Sequence, residues 1–258
     1  MDDPWLIGLF LGLGALLYSS VGHGGASAYI AILTLMGNLP ESIRSIALGL
    51  NVIVATVAAI NYYRQGAFSW RLFWPFALTS IPMALVGGWV GPSFGSGLKV
   101  LLGLVLIAAA MRMIFPEGKY FKENREGKSP DQSPSHPPLR VGIPWGGGIG
   151  FLSGLTGVGG GIFLSPLLVI GGWASPRMAS GVSAPFIVVN SVAGLAALPI
   201  TFEPLVLPNF LWAAFVLGGG WIGSALGSKH LTPNWLKRLL AVVLFVAAFK
   251  MLSSRAFS

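Results

Sequence analysis

Two clusters of glycine interrupt long apolar stretches of this chain, and they limit its possible folds more than any other feature. The first is Ser20-Val21-Gly22-His23-Gly24-Gly25-Ala26-Ser27. The second lies in Gly154-Leu155-Thr156-Gly157-Val158-Gly159-Gly160-Gly161-Ile162, followed by Ser165-Pro166-Leu167. One glycine costs a helix interior about 1 kcal/mol relative to alanine. Neighbouring glycines therefore break a helix, whereas spaced ones let helices approach closely. The other apolar runs reach about 20 residues, the length that crosses a hydrocarbon core of about 30 Å. With 54% hydrophobic and only 9% charged residues, the chain reads as a polytopic membrane protein built of helices. A break at membrane depth frees backbone N–H and C=O groups, which is tolerated only where protein or a polar cavity satisfies them.

The order along the chain supports a duplication. A broken run at 5–37 is followed by spans near 43–62, 71–91 and 97–115. A second broken run at 141–172 is followed by spans near 177–198, 206–227 and 235–252. Residues 116–140 between the halves are proline-rich and charged, as a soluble linker would be. Gly22-His23-Gly24-Gly25 matches Gly157-Val158-Gly159-Gly160, and Gly49-Leu50-Asn51 matches Gly181-Val182-Ser183. Gly87-Gly88-Trp89 matches Gly219-Gly220-Trp221, and Leu98-Lys99-Val100-Leu101-Leu102 matches Leu236-Lys237-Arg238-Leu239-Leu240. The expected organisation is a first membrane repeat at 5–115, a cytoplasmic linker at 116–140 and a second membrane repeat at 141–252. Each repeat has four hydrophobic segments.

Charge suggests how the halves are oriented. Arg112, Lys119, Lys122, Arg125, Lys128 and Arg140 cluster at the linker, which places it in the cytoplasm. If both broken runs are re-entrant hairpins, only Arg44, Lys99, Lys250 and Arg255 of the Lys and Arg residues fall outside. Arg64 and Arg71 in the first half also face Glu203 at the matching loop of the second. Opposite character at equivalent loops is the mark of an inverted repeat. Met1-Asp2-Asp3-Pro4 lacks the basic start of a cleavable signal peptide, so the first apolar run is expected to stay in the protein.

A helix that starts inside the membrane points free N–H groups and the positive end of its dipole at what lies there. Glycines let an anion come close to that backbone. The expected oxyanion site combines Gly22, Gly24 and Gly25 with Gly157, Gly159, Gly160 and Gly161. Small polar side chains surround them: Ser20 and Ser27 at the first break, Thr156 at the second, and Asn51, Ser183 and Asn190 in the spans that follow. Some hydroxyls back-bond to helix carbonyls by habit, and a mid-membrane Asn serves equally as interhelical glue. His23 is the one ionisable residue deep in the expected membrane, a candidate for anion contact or proton linkage against the blander role of a neutral imidazole held by a carbonyl. Arg44 and Arg177 begin the second span of each half, where snorkelling to the interface competes with attracting substrate. Gly87, Gly88, Gly218, Gly219 and Gly220 are expected to serve helix packing instead.

With these motifs in place, the chain resembles the TauE/SafE sulfite exporter family of membrane transporters over nearly everything except the linker. The first glycine cluster departs from the family pattern in carrying His23 and in having Ala31 where proline is usual. The resemblance implies movement of sulfite, organosulfonates or related oxyanions across a bacterial inner membrane, usually outward. Partners implied are the small anion and membrane lipid, with a second copy of the chain as a further candidate. Neither glycine cluster has the lysine of a nucleotide loop, and the basic residues form no clustered face for nucleic acid. Cysteine is absent, which excludes disulfides and thiolate metal sites; no cofactor, metal or catalytic residue is expected. Two other classes compete: an anion channel on the same scaffold, and an intramembrane serine protease using Ser153 with His230, which belongs to a loop.

Overall fold

The computed structural model describes residues 4–35, 40–90, 137–198 and 207–253, together with Ile107 and Met111. The described residues form helices α1 (Pro4–Ser19), α2 (Ala26–Leu35), α3 (Pro40–Arg64), α4 (Trp70–Val90), α5 (Leu139–Thr156), α6 (Gly161–Ile170), α7 (Pro176–Ala196), α8 (Leu207–Lys229) and α9 (Pro233–Ser253). The described residues are all-helical, in a polytopic membrane protein. Among the described residues, Arg44–Arg64, Trp70–Val90, Pro176–Ala196 and Phe210–Lys229 are long and apolar enough to cross a bilayer. Apolar side chains such as Leu78, Val86, Ile222 and Phe249 stand exposed on their outer faces, as contact with lipid requires. The expected span at 97–115 and most of the linker lie outside the described residues. α5 begins at Leu139, inside the stretch drawn as linker.

Both glycine clusters do break their helices. α5 ends at Gly157, whose φ of 73° is left-handed and whose N–H returns to the Ser153 carbonyl, a glycine C-cap. α6 restarts after Gly160, also left-handed at φ 78°, with no side chain capping it. α7 starts more conventionally: Ser175 accepts from the Met178 N–H at 3.3 Å, and Pro176 takes the first helical position.

Close backbone approach fixes the direction in which helices pass one another. A Cβ on Gly219 would collide with the Gly12 carbonyl, one on Gly223 with that of Leu16, and one on Gly227 with that of Ser20. α1 and α8 therefore run parallel, in step over two turns. Gly146, Gly150 and Gly154 of α5 meet Phe76, Ser80 and Ala84 of α4 in the same manner, so that pair is parallel too. α3 runs along α8, with Val54 against Gly220 and Asn61 bonded to Ser224 at 2.7 Å. α7 runs along α4, through Ser80 to Asn190 and Gly88 to Ala197. Between these two groups, α3 and α7 cross antiparallel: Leu48 packs on Gly194, Asn51 bonds Ser191, and Ala67 lies over Gly181. The short helices run back: α2 along α1, with Gly14 against Ala28 and Tyr18 against Ser27, and α6 along α7, with Gly161 against Ile187 and Ser165 against Ser183.

Of the glycines assigned to packing, Gly87 and Gly219 lie against neighbouring backbone, and Gly88 and Gly220 against the Ala197 and Val54 side chains. Gly218 faces open space. α4 carries Pro75 and Pro82, α5 Pro144, α6 Pro166 and α7 Pro185. Each removes one intrahelical hydrogen bond, which in a membrane helix is tolerated where neighbouring helices take up the freed carbonyl.

Candidate anion site

The two glycine breaks meet in the interior, and Asn51 stands between them. Its Oδ1 accepts from the Ala26 N–H at 3.2 Å, and its Nδ2 donates to Ser191 Oγ at 2.8 Å. A Cβ on Gly24 would fall on Oδ1, and one on Gly159 would come 2.5 Å from Nδ2. Asn51 is fully buried, and a buried amide left without partners costs about 1–3 kcal/mol. Asn51 thus caps the start of α2 and links the first break, the second break and α7.

His23 sits at the start of α6. Its ring lies 3.3 Å from the position a Cβ on Gly161 would take. His23 Nε2 and Ser165 Oγ are 3.2 Å apart, and Ser165 Oγ and Ser183 Oγ 2.7 Å. The other ring nitrogen, Nδ1, is buried and has no hydrogen-bond partner among the described residues. Tyrosines brace the first break: Tyr29 donates to the Gly24 carbonyl at 2.6 Å, Ser27 donates to Tyr18 at 2.9 Å, and Tyr62 donates to the Ser20 carbonyl at 2.7 Å.

A cavity of about 10 Å³ opens between His23, Gly24, Gly25 and Ser27 on one side and Val158, Ile162 and Ile187 on the other. That is about the space one water needs. The N-termini of α2 and α6 are the polar backbone nearest to it. They differ, because Asn51 caps α2 while no side chain caps α6. The backbone donors left free are therefore at the α6 end.

The structure therefore brings together His23, Gly24, Gly25, Ser27, Asn51, Gly159, Gly161 and Ser183. It draws others elsewhere. Ser20 Oγ donates to the Leu17 carbonyl at 2.6 Å, and Thr156 Oγ1 to that of Leu152 at 2.7 Å, the back-bonding habit of hydroxyls in membrane helices. Gly22 packs on the Ser180 carbonyl, Gly157 on Arg44, and Gly160 on Phe186 and Ile149. Asn190 accepts from Ser80 and donates to the Phe186 carbonyl at 2.8 Å, tying α7 to α4. Ser165, which follows the second glycine cluster in sequence, lies here too, as do Ser191 and Tyr18, which the spacing arguments did not single out. Ser191 follows only from knowing that α3 and α7 cross antiparallel. Ser153 Oγ has no partner, so it forms no pair with His230. Among the described residues, no group of three His, Asp or Glu side chains could hold a metal.

Broken helices that meet inside a helical bundle, with His23, Asn51, Ser165 and Ser183 buried between them, are the arrangement of a membrane transporter. The chain belongs to the family described as Sulfite exporter TauE/SafE, whose pattern it matches over residues 6–251. It is 35% identical to a probable membrane transporter protein of Sinorhizobium fredii, over 92% of this chain and 94% of that one. A probable membrane transporter protein of Bacillus subtilis is 23% identical over 93% of this chain and 94% of its own. Another, from Methanocaldococcus jannaschii, is 28% identical over 74% of this chain and 69% of its own. No solved structure matches. All three relatives carry the name of probable membrane transporter proteins.

Proposed function

We propose that this transporter exports a small sulfur-containing oxyanion, sulfite or an organosulfonate, across a bacterial inner membrane, binding it where the two glycine breaks meet. The observation that carries this reading is His23, which lines the cavity beside the uncapped N-terminus of α6 and whose buried Nδ1 has no partner among the described residues. A partly buried helix N-terminus contributes up to about 2 kcal/mol to a bound anion, and each neutral hydrogen bond about 1 kcal/mol. Together these give micromolar-to-millimolar binding, weak enough for release. A monoanion leaving a cell that is negative inside gains about 2.3 kcal/mol per 100 mV, so export needs no coupling ion.

The two halves form an inverted repeat, with both broken runs re-entrant. What supports this is the antiparallel crossing of α3 and α7, which the sequence makes equivalent, and the return of α2 along α1. The exchange of α1 with α8 for α5 with α4 agrees with it. A carrier fits better than a channel, because the space between the breaks holds about one water.

The test is a thermal-shift and proteoliposome flux screen of the purified protein against sulfite, sulfate, thiosulfate, taurine, sulfoacetate and phosphonates. Stabilisation by sulfite or a sulfonate, with saturable flux that His23→Gln weakens, is the expected result. Flux that never saturates would point to a channel instead. Density for a bound sulfonate far from both glycine breaks would overturn the site.

A further inference from the structure

Arg44 and Arg177, equivalent by the repeat, are half-buried and turn onto the carbonyls of other helices. Arg44 donates to the Gly154 carbonyl and, at 3.3 Å, to that of Gly88. These carbonyls belong to the last turns of α5 and α4, whose C-termini have no intrahelical donor to offer them. Arg177 donates likewise to the Ser228 carbonyl in the last turn of α8. In both arginines Nε is buried without a partner among the described residues.

Parallel helices bring their like ends together, and this is where α4 and α5 end. Each C-terminus is equivalent to about half a negative charge, so the pair amounts to roughly one. That charge lies directly behind the second glycine break. A Cβ on Gly157 would meet Arg44 Cγ at 3.1 Å and Nε at 3.5 Å, so the arginine stem lies on the first glycine of that break. At the first break the Ser20 carbonyl is satisfied by the neutral Tyr62 hydroxyl instead. Arg177 stands behind that break in its turn, through the Ser228 carbonyl next to Gly227, which packs on Ser20. Of the two arginines only Arg44 stands behind a helix N-terminus that no side chain caps.

We propose that Arg44 is a specificity-determining positioning residue. Its guanidinium cancels the negative ends of α4 and α5, so the field at the start of α6 favours an anion, the more strongly the higher the anion's charge. The inference rests on the anion site described above.

The test compares binding of sulfate, a dianion, with methanesulfonate, a monoanion, by the purified full chain and its Arg44→Gln and Arg44→Lys variants. A lost electrostatic contribution acts in proportion to ligand charge. Arg44→Gln is expected to weaken sulfate by about the square of the factor by which it weakens methanesulfonate, roughly a hundredfold where the monoanion loses tenfold. Arg44→Lys keeps the charge and is expected to keep the ratio of the two affinities, which supplies the test alone if the Gln variant does not fold. Equal losses for both anions, or a ratio that falls in the Lys variant, would overturn the inference while leaving the site intact. Binding of neither anion by the unaltered protein would overturn the site reading and this inference with it.

Discussion

At the scale of single residues, Asn51 shows how much one side chain organises. Both ends of its amide are used, and a glycine from each break lies against it because nothing larger fits. Gly159→Ala puts a Cβ 2.5 Å from Asn51 Nδ2 at a backbone φ of 84°, so it is strained twice over. We expect this variant to lose transport and to unfold at lower temperature in detergent, read by thermal shift. Asn51→Leu leaves the Ala26 N–H and Ser191 without their partners and is expected to cost about 1–3 kcal/mol. Asn51→Asp keeps an acceptor for Ala26 but sets a negative charge beside an anion site, so it should lose binding before it loses stability. Unchanged anion affinity in the Asp variant would remove Asn51 from the neighbourhood of the substrate. The sequence made Asn51 and Ser183 legible as a pair, because both follow a glycine in matching spans. It did not reveal that they have different partners. Asn51 meets Ser191, whereas Ser183 joins Ser165 and His23. Which hydroxyl each one meets depends on how α3, α6 and α7 pack, and spacing along the chain does not carry that.

At the scale of elements, glycine does two jobs that sequence spacing separates well. Consecutive glycines end α5 and precede α6, while glycines four apart bring α5 against α4 and α1 against α8. The ladder Gly146, Gly150, Gly154 was legible only as small residues in a span; its partner could not be read, because many apolar faces look alike in sequence. Gly150→Val would drive a branched side chain into the Ser80 backbone. Overpacking of this kind typically costs about 1–3 kcal/mol. We expect lower yield and an earlier melting transition, whereas Gly148→Ala, where the added methyl meets nothing within 4 Å, should be silent. Equal damage from both substitutions would mean that the α4–α5 contact is not the close one described. The partners of the arginines were illegible for the same reason. Interfacial snorkelling is the default for a cation at a span end, and the carbonyls that Arg44 and Arg177 take instead come from helices distant in sequence.

For the whole molecule, the directions of the helices predict which ends share a face. α3 and α7 cross antiparallel, so the end of α3 lies with the start of α7; α8, parallel to α3, ends there as well. Single cysteines at Gln65, Ser175 and His230, all exposed positions, should therefore be labelled by an impermeant reagent from one side only. With the linker inside, that side is the cytoplasm. Labelling of Ser175→Cys from the opposite side to Gln65→Cys would exclude the inverted arrangement. Four spans, at Arg44–Arg64, Trp70–Val90, Pro176–Ala196 and Phe210–Lys229, were legible from apolar run lengths, while the one expected at 97–115 lies outside the described residues. Orientation rested on a few loop charges, and a handful of charges sets topology only weakly against helix packing.

The space between the glycine breaks is no larger than one water, and its walls are backbone, imidazole and branched aliphatic side chains. If the protein works as the carrier proposed above, this closed state insulates: in a cell that stores energy as a voltage, an idle copy then draws no current, and the membrane stays charged however many copies it holds. Cargo of any useful size would enter only by prying apart helices that are in contact, which would have to come together again before the next molecule. Throughput would be counted in cycles, and a cell that must move more cargo would have to make more protein rather than hold a gate open longer.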